Sequence, residues 1–100
     1  MENSMDKLFT APFRTPTEEQ VTHELKILPK YYGQVLAGTK KWELRKNDRG
    51  FKEGDKVILK EWDDRDSTYT GRQYEATILY LLEGCPDYGL MEGFCIFSIS

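Results

Sequence analysis

From Val21 onward most of the chain reads as short strands, and one stretch alone has a helical period. Over residues 21–28, Val21, His23, Leu25 and Ile27 share one side, while Thr22, Glu24 and Lys26 share the other. That is the pattern of a half-buried strand. Residues 41–46 alternate in the same way, with Trp42 and Leu44 opposite Lys41, Glu43 and Arg45, which puts Trp42 in the core. Residues 56–62 are rich in β-branched and aromatic side chains, and residues 72–82 form the longest run of this kind. Residues 94–99 are apolar on both faces, as expected of a central strand. The one helical period lies in residues 29–37, where Tyr32, Val35 and Leu36 stand at i, i+3 and i+4. Pro29 suits the first helical position, and Gly38 can supply a left-handed cap. A helix of about two and a half turns is marginal alone and must pack on the sheet.

Five strands and one early helix make an α+β fold. The arrangement expected is a small, strongly bent open β-barrel of five or six strands, with the helix covering one end. Residues 47–50 and 52–55 carry turn chemistry, residues 63–71 read as a polar hairpin loop, and residues 84–89 break the long strand. One hundred residues allow one domain, residues 21–100, preceded by an arm, residues 1–20. The arm shows no period and holds two of the four prolines, and Leu8, Phe9 and Phe13 are its candidate anchors.

Composition narrows the function. There is no apolar run of about 18 residues and no charged-then-apolar leader, so a cytoplasmic monomer without membrane contact is expected. Cys85, Cys95 and His23 are too few for a structural zinc site, so no metal or cofactor is expected and the thiols read as free. Asp63, Asp64 and Asp66 lack the frame of a calcium loop and read as a solvated hairpin. No Ser/His/Asp set, phosphate-cradling glycine loop or dinucleotide fingerprint is present in the sequence.

A net charge of −3 argues against indiscriminate binding to polyanions. The mean hides an asymmetry. Residues 1–50 carry nine Lys/Arg against seven Asp/Glu, and residues 51–100 carry five against ten. The basic peak is residues 40–49, where Lys40, Lys41, Arg45, Lys46 and Arg49 face only Glu43 and Asp48. A local basic patch on an acidic protein can select one anionic ligand.

Within that peak, Gly38 ends the helix and Lys40 lies in the turn that follows. Glu43 and Arg45 share a strand face, about 7 Å apart on the pleat. A carboxylate there orients the guanidinium and holds the lysine. On an exposed face the same pair is an ordinary surface contact, worth under about 1 kcal/mol. His23 reads as a core or rim histidine or as a residue of the same cleft, and Lys46 and Arg49 as phosphate contacts or as a solvated turn. Trp62, Tyr69 and Tyr74 flank the polar hairpin, as packing residues or as a surface on which a base stacks.

The spacing Gly38-x-Lys40-x-x-Glu43-x-Arg45 resembles the G-x-K-x-x-E-x-R signature of ASCH domains, a branch of the PUA-like superfamily. A wider set of residues strengthens the likeness: His23 to Lys26, Tyr31 and Tyr32, Glu43 to Arg49, Phe51, Gly54-Asp55 and Leu82 to Gly84. Together these resemble the small ASCH-like domains of bacteria and their phages over residues 21–100. The resemblance implies a PUA-like open barrel with a cleft between helix and sheet that binds RNA or a nucleotide. Lys40, Glu43, Arg45, Lys46, Arg49 and His23 would then be the ligand-binding residues. Some relatives are amidohydrolases on acylated nucleosides such as acetylcytidine. That alternative makes Lys40 catalytic, beside a carboxylate from a later strand, for which Glu75 and Glu83 are candidates. A third reading, a protein-interaction accessory domain, uses the acidic second half.

Overall fold

The computed structural model describes residues 19–100. The anchors Leu8, Phe9 and Phe13 of the expected arm lie outside the described residues. Five strands and one α-helix follow in the order β1 (Thr22–Ile27), α1 (Pro29–Leu36), β2 (Trp42–Lys46), β3 (Lys56–Asp63), β4 (Thr68–Cys85) and β5 (Leu90–Ile99), with a 3-10 turn at Pro86–Tyr88. The strands form one sheet in the order β1-β3-β4-β5-β2. β1 and β3 are parallel, which the long crossover through α1 and β2 permits, and every other pairing is antiparallel.

β4 bends this sheet. It pairs with β3 through Thr77 and with β5 from Ile78 on. Two irregularities sharpen the bend. Between the pairs Lys60↔Gln73 and Trp62↔Tyr69, β4 carries two more residues than β3, and Gly71 takes φ +97° within that bulge. Between Ile78↔Ile99 and Leu81↔Phe97, β4 carries one more residue than β5. The concave side holds the core: Leu25 and Ile27 of β1, Val57 and Leu59 of β3, Ala76 and Ile78 of β4, and Cys95, Phe97 and Ile99 of β5. Tyr32 and Val35 of α1 and Phe51 of the β2–β3 connection join them.

The α+β fold with one early helix is as the periods imply, with five strands and a sheet that does not close. β1 and β2 are its two free edges. β5 lies between β4 and β2, in keeping with its apolar faces. The helix ends as expected: Gly38 has φ +79°, and its N–H donates to Val35 O at 3.0 Å. Three boundaries differ from the sequence reading. The polar hairpin is shorter, because the Asp63↔Thr68 and Trp62↔Tyr69 pairs extend the ladder and the two rings meet edge-on at 4.9 Å. The last strand starts at Leu90, because Cys85↔Leu90 continues the pairing around the 3-10 turn. Val21 precedes β1 and is exposed.

Trp42 is the main correction. It is 46% exposed and Leu44 is 53% exposed, whereas Glu43 on the opposite face is buried. The inward face of β2 is the charged one, because Glu43 stands opposite Phe97 and Arg45 opposite Cys95, both core residues of β5. Alternation alone gives the period of a strand but not which face is buried.

Candidate functional site

The unclosed edge between β1 and β2 widens, at the start of α1, into a cleft of about 390 Å³. Its lining comes from three places: Lys26, Ile27 and Leu28 at the end of β1, Tyr31 of α1, and Lys40 with residues 42–45 of β2 and its approach. The cap at Gly38 fixes where Lys40 stands. Thr39 N and Lys40 N both donate to Gln34 O, at 3.0 and 3.1 Å, and hold the turn against the helix end.

Glu43 is the hub. Its side chain is only 4% exposed. Lys40 Nζ donates to Glu43 Oε2 and, at 2.7 Å, to Trp42 O. Arg45 Nε donates to Glu43 Oε1 at 3.0 Å, and Arg45 Nη2 lies 2.8 Å from the same oxygen. Nη2 also donates to Lys26 O on β1 at 2.9 Å. The strand pairing that brings Glu43 beside Phe97 therefore carries a carboxylate inward, and two cations follow it because a buried charge requires partners. Each cation keeps unused donors. The Lys40 ammonium has three N–H groups and two acceptors here, and Arg45 Nη1 has no acceptor among the described residues.

Two aromatic rings flank Lys40. Lys40 Nζ stands 4.7 Å from the Trp42 ring centroid and 5.9 Å from that of Tyr31. Both rings are nearly half exposed, and Ile27, Leu28 and Leu44 complete the lining. The cleft thus offers ring faces, apolar contact and a floor of two cations bridged by one anion. Its surplus is positive, and Lys26 at the rim adds to it.

The remaining sequence candidates fall elsewhere. Arg49 stands along the same edge, where Nη1 donates to Glu24 O at 2.7 Å. Lys46 is exposed at the end of β2 and does not line the cleft. His23 is buried, 2.8 Å from Asp55 Oδ2 through Nε2, with its ring 4.7 Å from that of Phe51. Asp55 is fully buried and also accepts from Val21 N and Lys52 N. His23 and Asp55 thus tie β1 to the turn before β3, away from the cleft. Glu75 and Glu83 do not reach it either: Glu75 lies 3.7 Å from Lys56, and Glu83 is exposed opposite Cys95. Both cysteines are free thiols, and burial holds that of Cys95 above its ordinary value.

A family model described as a domain of unknown function (DUF3850) matches residues 22–99. The chain belongs to the DUF3850 family. The match runs from the first residue of β1 to the last of β5, so the DUF3850 domain includes both free edges and the whole cleft. A protein of Escherichia phage P2, an uncharacterized 12.9 kDa protein in the GpA 3' region, is 46% identical over 56 residues. Those residues are 56% of this chain, and they span half the length of that relative.

Lys40, Glu43 and Arg45 line the cleft as their spacing implies, whereas Trp42, Tyr31 and the other lining residues carry no such signal in local spacing alone. Parity supplies one for Trp42 only once its neighbours are placed: if Glu43 and Arg45 converge inward, residue 42 must point outward. A buried carboxylate on a later strand, Glu61 of β3, is held by Arg72 and Thr70 across the β4 bulge and does not line the cleft. Among the described residues no helix is long and apolar enough to cross a membrane.

Proposed function

We propose that the cleft binds a nucleotide, either a modified nucleotide or one unit of a single-stranded RNA, and that the protein is a binding module of the ASCH, PUA-like kind. One observation carries this reading: Lys40 and Arg45, joined through buried Glu43, hold unused donors in one cleft, with Lys40 beside two half-exposed rings. A planar base suits the ring faces of Tyr31 and Trp42, and a phosphate suits the cationic floor. Glu43 acts through Lys40 and Arg45 as a positioning residue, since both its oxygens are engaged. Hydrolysis of an acylated nucleoside needs a second carboxylate facing Lys40. Among the described residues Glu43 is the one acidic side chain that lines the cleft, so binding is the better supported reading.

The test is an amide NMR titration of the full chain with RNA oligonucleotides and nucleotides. Signals of residues 38–49 should move. Lys40→Ala should weaken binding about tenfold and lower the salt slope by about 0.7, the share of one phosphate contact on a single strand. No movement at residues 38–49 with either ligand would reject the reading. Release of acetate from acetylcytidine, lost in Lys40→Ala, would replace binding with catalysis.

A further inference from the structure

The cleft has a neighbour. On the outer face of the sheet, Lys26 of β1 lies beside Lys60 of β3, and Trp62 of β3 beside Tyr69 of β4. Lys26 Nζ stands 3.7 Å above the Trp62 ring centroid and 5.9 Å from that of Tyr69, and Lys60 Nζ stands 4.7 Å from Tyr69. The rings meet edge-on, and Tyr69 is 45% exposed. Lys60 has a carboxylate partner in Glu24 at 3.3 Å, but Lys26 has none among the described residues. Lys26 also lines the cleft. One unneutralised cation therefore belongs both to the cleft and to a partly exposed aromatic platform.

The geometry points to a second nucleotide subsite at Trp62 and Tyr69, so that the ligand is a strand of single-stranded RNA and not a lone nucleotide. This rests on the cleft reading and extends it. One base occupies the cleft, the phosphate that follows meets Lys26, and the next base lies on the platform. The ammonium groups guard the rings until then. An exposed ammonium–ring contact is weaker than base stacking combined with a phosphate contact, so the lysines exchange ring for phosphate as the base arrives. Charge and shape both favour RNA over a peptide here. The platform sets ring faces beside two cations, Lys26 belongs to both platform and cleft, and Glu24 is already taken by Lys60.

The two indole N–H signals make the test direct, since Trp42 reports the cleft and Trp62 the platform. The full chain is titrated with an equimolar mixture of the four nucleoside 5′-monophosphates, and separately with a random-sequence RNA pentamer. Monophosphates should move Trp42 alone, and the pentamer should move both. Tyr69→Ala should weaken the pentamer about 5- to 100-fold and leave the monophosphates unchanged, the loss expected of one stacked base. Tyr69→Phe, which keeps the ring, should bind like the parent. A pentamer that moves Trp42 but not Trp62, and binds no tighter than the monophosphates, overturns the second subsite and leaves the cleft. Silence of both indoles overturns the cleft reading and the strand with it.

Discussion

Arg45 on β2 donates from Nη2 to the backbone carbonyl of Lys26 on β1, 2.9 Å away, across the edge where the sheet does not close. Arg49 does the same four residues on, to Glu24 O at 2.7 Å. Side chains thus stand where a sixth strand would place ladder hydrogen bonds. Carbonyls of alternate residues on β1 find guanidinium partners, which meets the need of an unpaired edge. The same guanidinium that fastens the edge is anchored on Glu43 in the cleft, so cleft and edge are one structure.

Arg45→Lys separates charge from fork geometry. Lysine keeps the cation but cannot reach Glu43 Oε1 and Lys26 O together with parallel donors. The fold should lose about 1–2 kcal/mol in urea unfolding, the worth of one or two charge-assisted hydrogen bonds. Amide exchange should accelerate in β1 and β2, with β4 unaffected. Unchanged exchange at both edges would show that the guanidinium bridge does not hold them.

Glu43→Gln separates position from charge in the cleft. The amide keeps the shape but leaves Lys40 and Arg45 as neighbouring cations without their anion. Stability should fall by about 1–3 kcal/mol, the upper end limited because both cations have some access to water. The variant carries one more unit of positive charge. If bulk charge governed binding, RNA affinity would rise; if placement of Lys40 and Arg45 governs it, affinity falls. The second outcome is expected in the NMR titration, and a rise would refute the positioning role of Glu43.

These residues also show what the sequence can and cannot tell. The strand periods, the helix over residues 29–36 and its stop at Gly38 follow from local rules of side-chain spacing and capping, which act over a few residues. The convergence of Lys40, Glu43 and Arg45 was legible because one turn and one pleat suffice to create it. The polarity of β2 was not, since the buried face is set by Phe97 and Cys95, some fifty residues away. The pairing of Glu61 with Arg72 was equally hidden. It depends on a two-residue bulge at Gly71 that arises only when β3 and β4 pair. The same holds for His23, whose partner Asp55 is 32 residues distant.

Two glycines should respond to alanine with opposite signs. Gly33 sits inside α1 with no heavy atom within 4 Å of where a Cβ would stand. Gly33→Ala should stabilise the fold by about 0.5–1 kcal/mol through helix propensity. Gly84 sits where β4 and β5 shift register, and a Cβ there would meet Glu92 Cα and Met91 O at 2.9 Å. Because both are backbone atoms of the facing strand, Gly84→Ala should cost about 1–3 kcal/mol. Thermal unfolding of the two variants decides the matter, and a neutral Gly84→Ala would mean that the hairpin is looser than this contact implies.

The acid limb of stability should report the Glu61–Arg72 pair. Glu61 is 2% exposed, and Arg72 donates to it from Nε and Nη2 at 2.8 Å each, with Thr70 Oγ1 at 2.6 Å. The Arg72 hydrogen bonds, then that of Thr70, hold the Glu61 carboxyl below its ordinary value of 4.5, against the opposing pull of burial. A group depressed in the folded state stabilises fully above its unfolded value. That stabilisation is lost as pH falls below 4.5 and through the folded value. In Arg72→Met the carboxylate stays buried without its cation, and burial then favours the protonated form, so acid relieves the variant as it weakens the parent. Asp63, lowered chiefly by the backbone N–H of Arg65, titrates in both proteins. Urea midpoints of parent and variant should therefore differ most near pH 7 and converge as pH falls below 4.5. A gap that stays constant across that range would show that Arg72 contributes packing alone and does not hold the charge of Glu61.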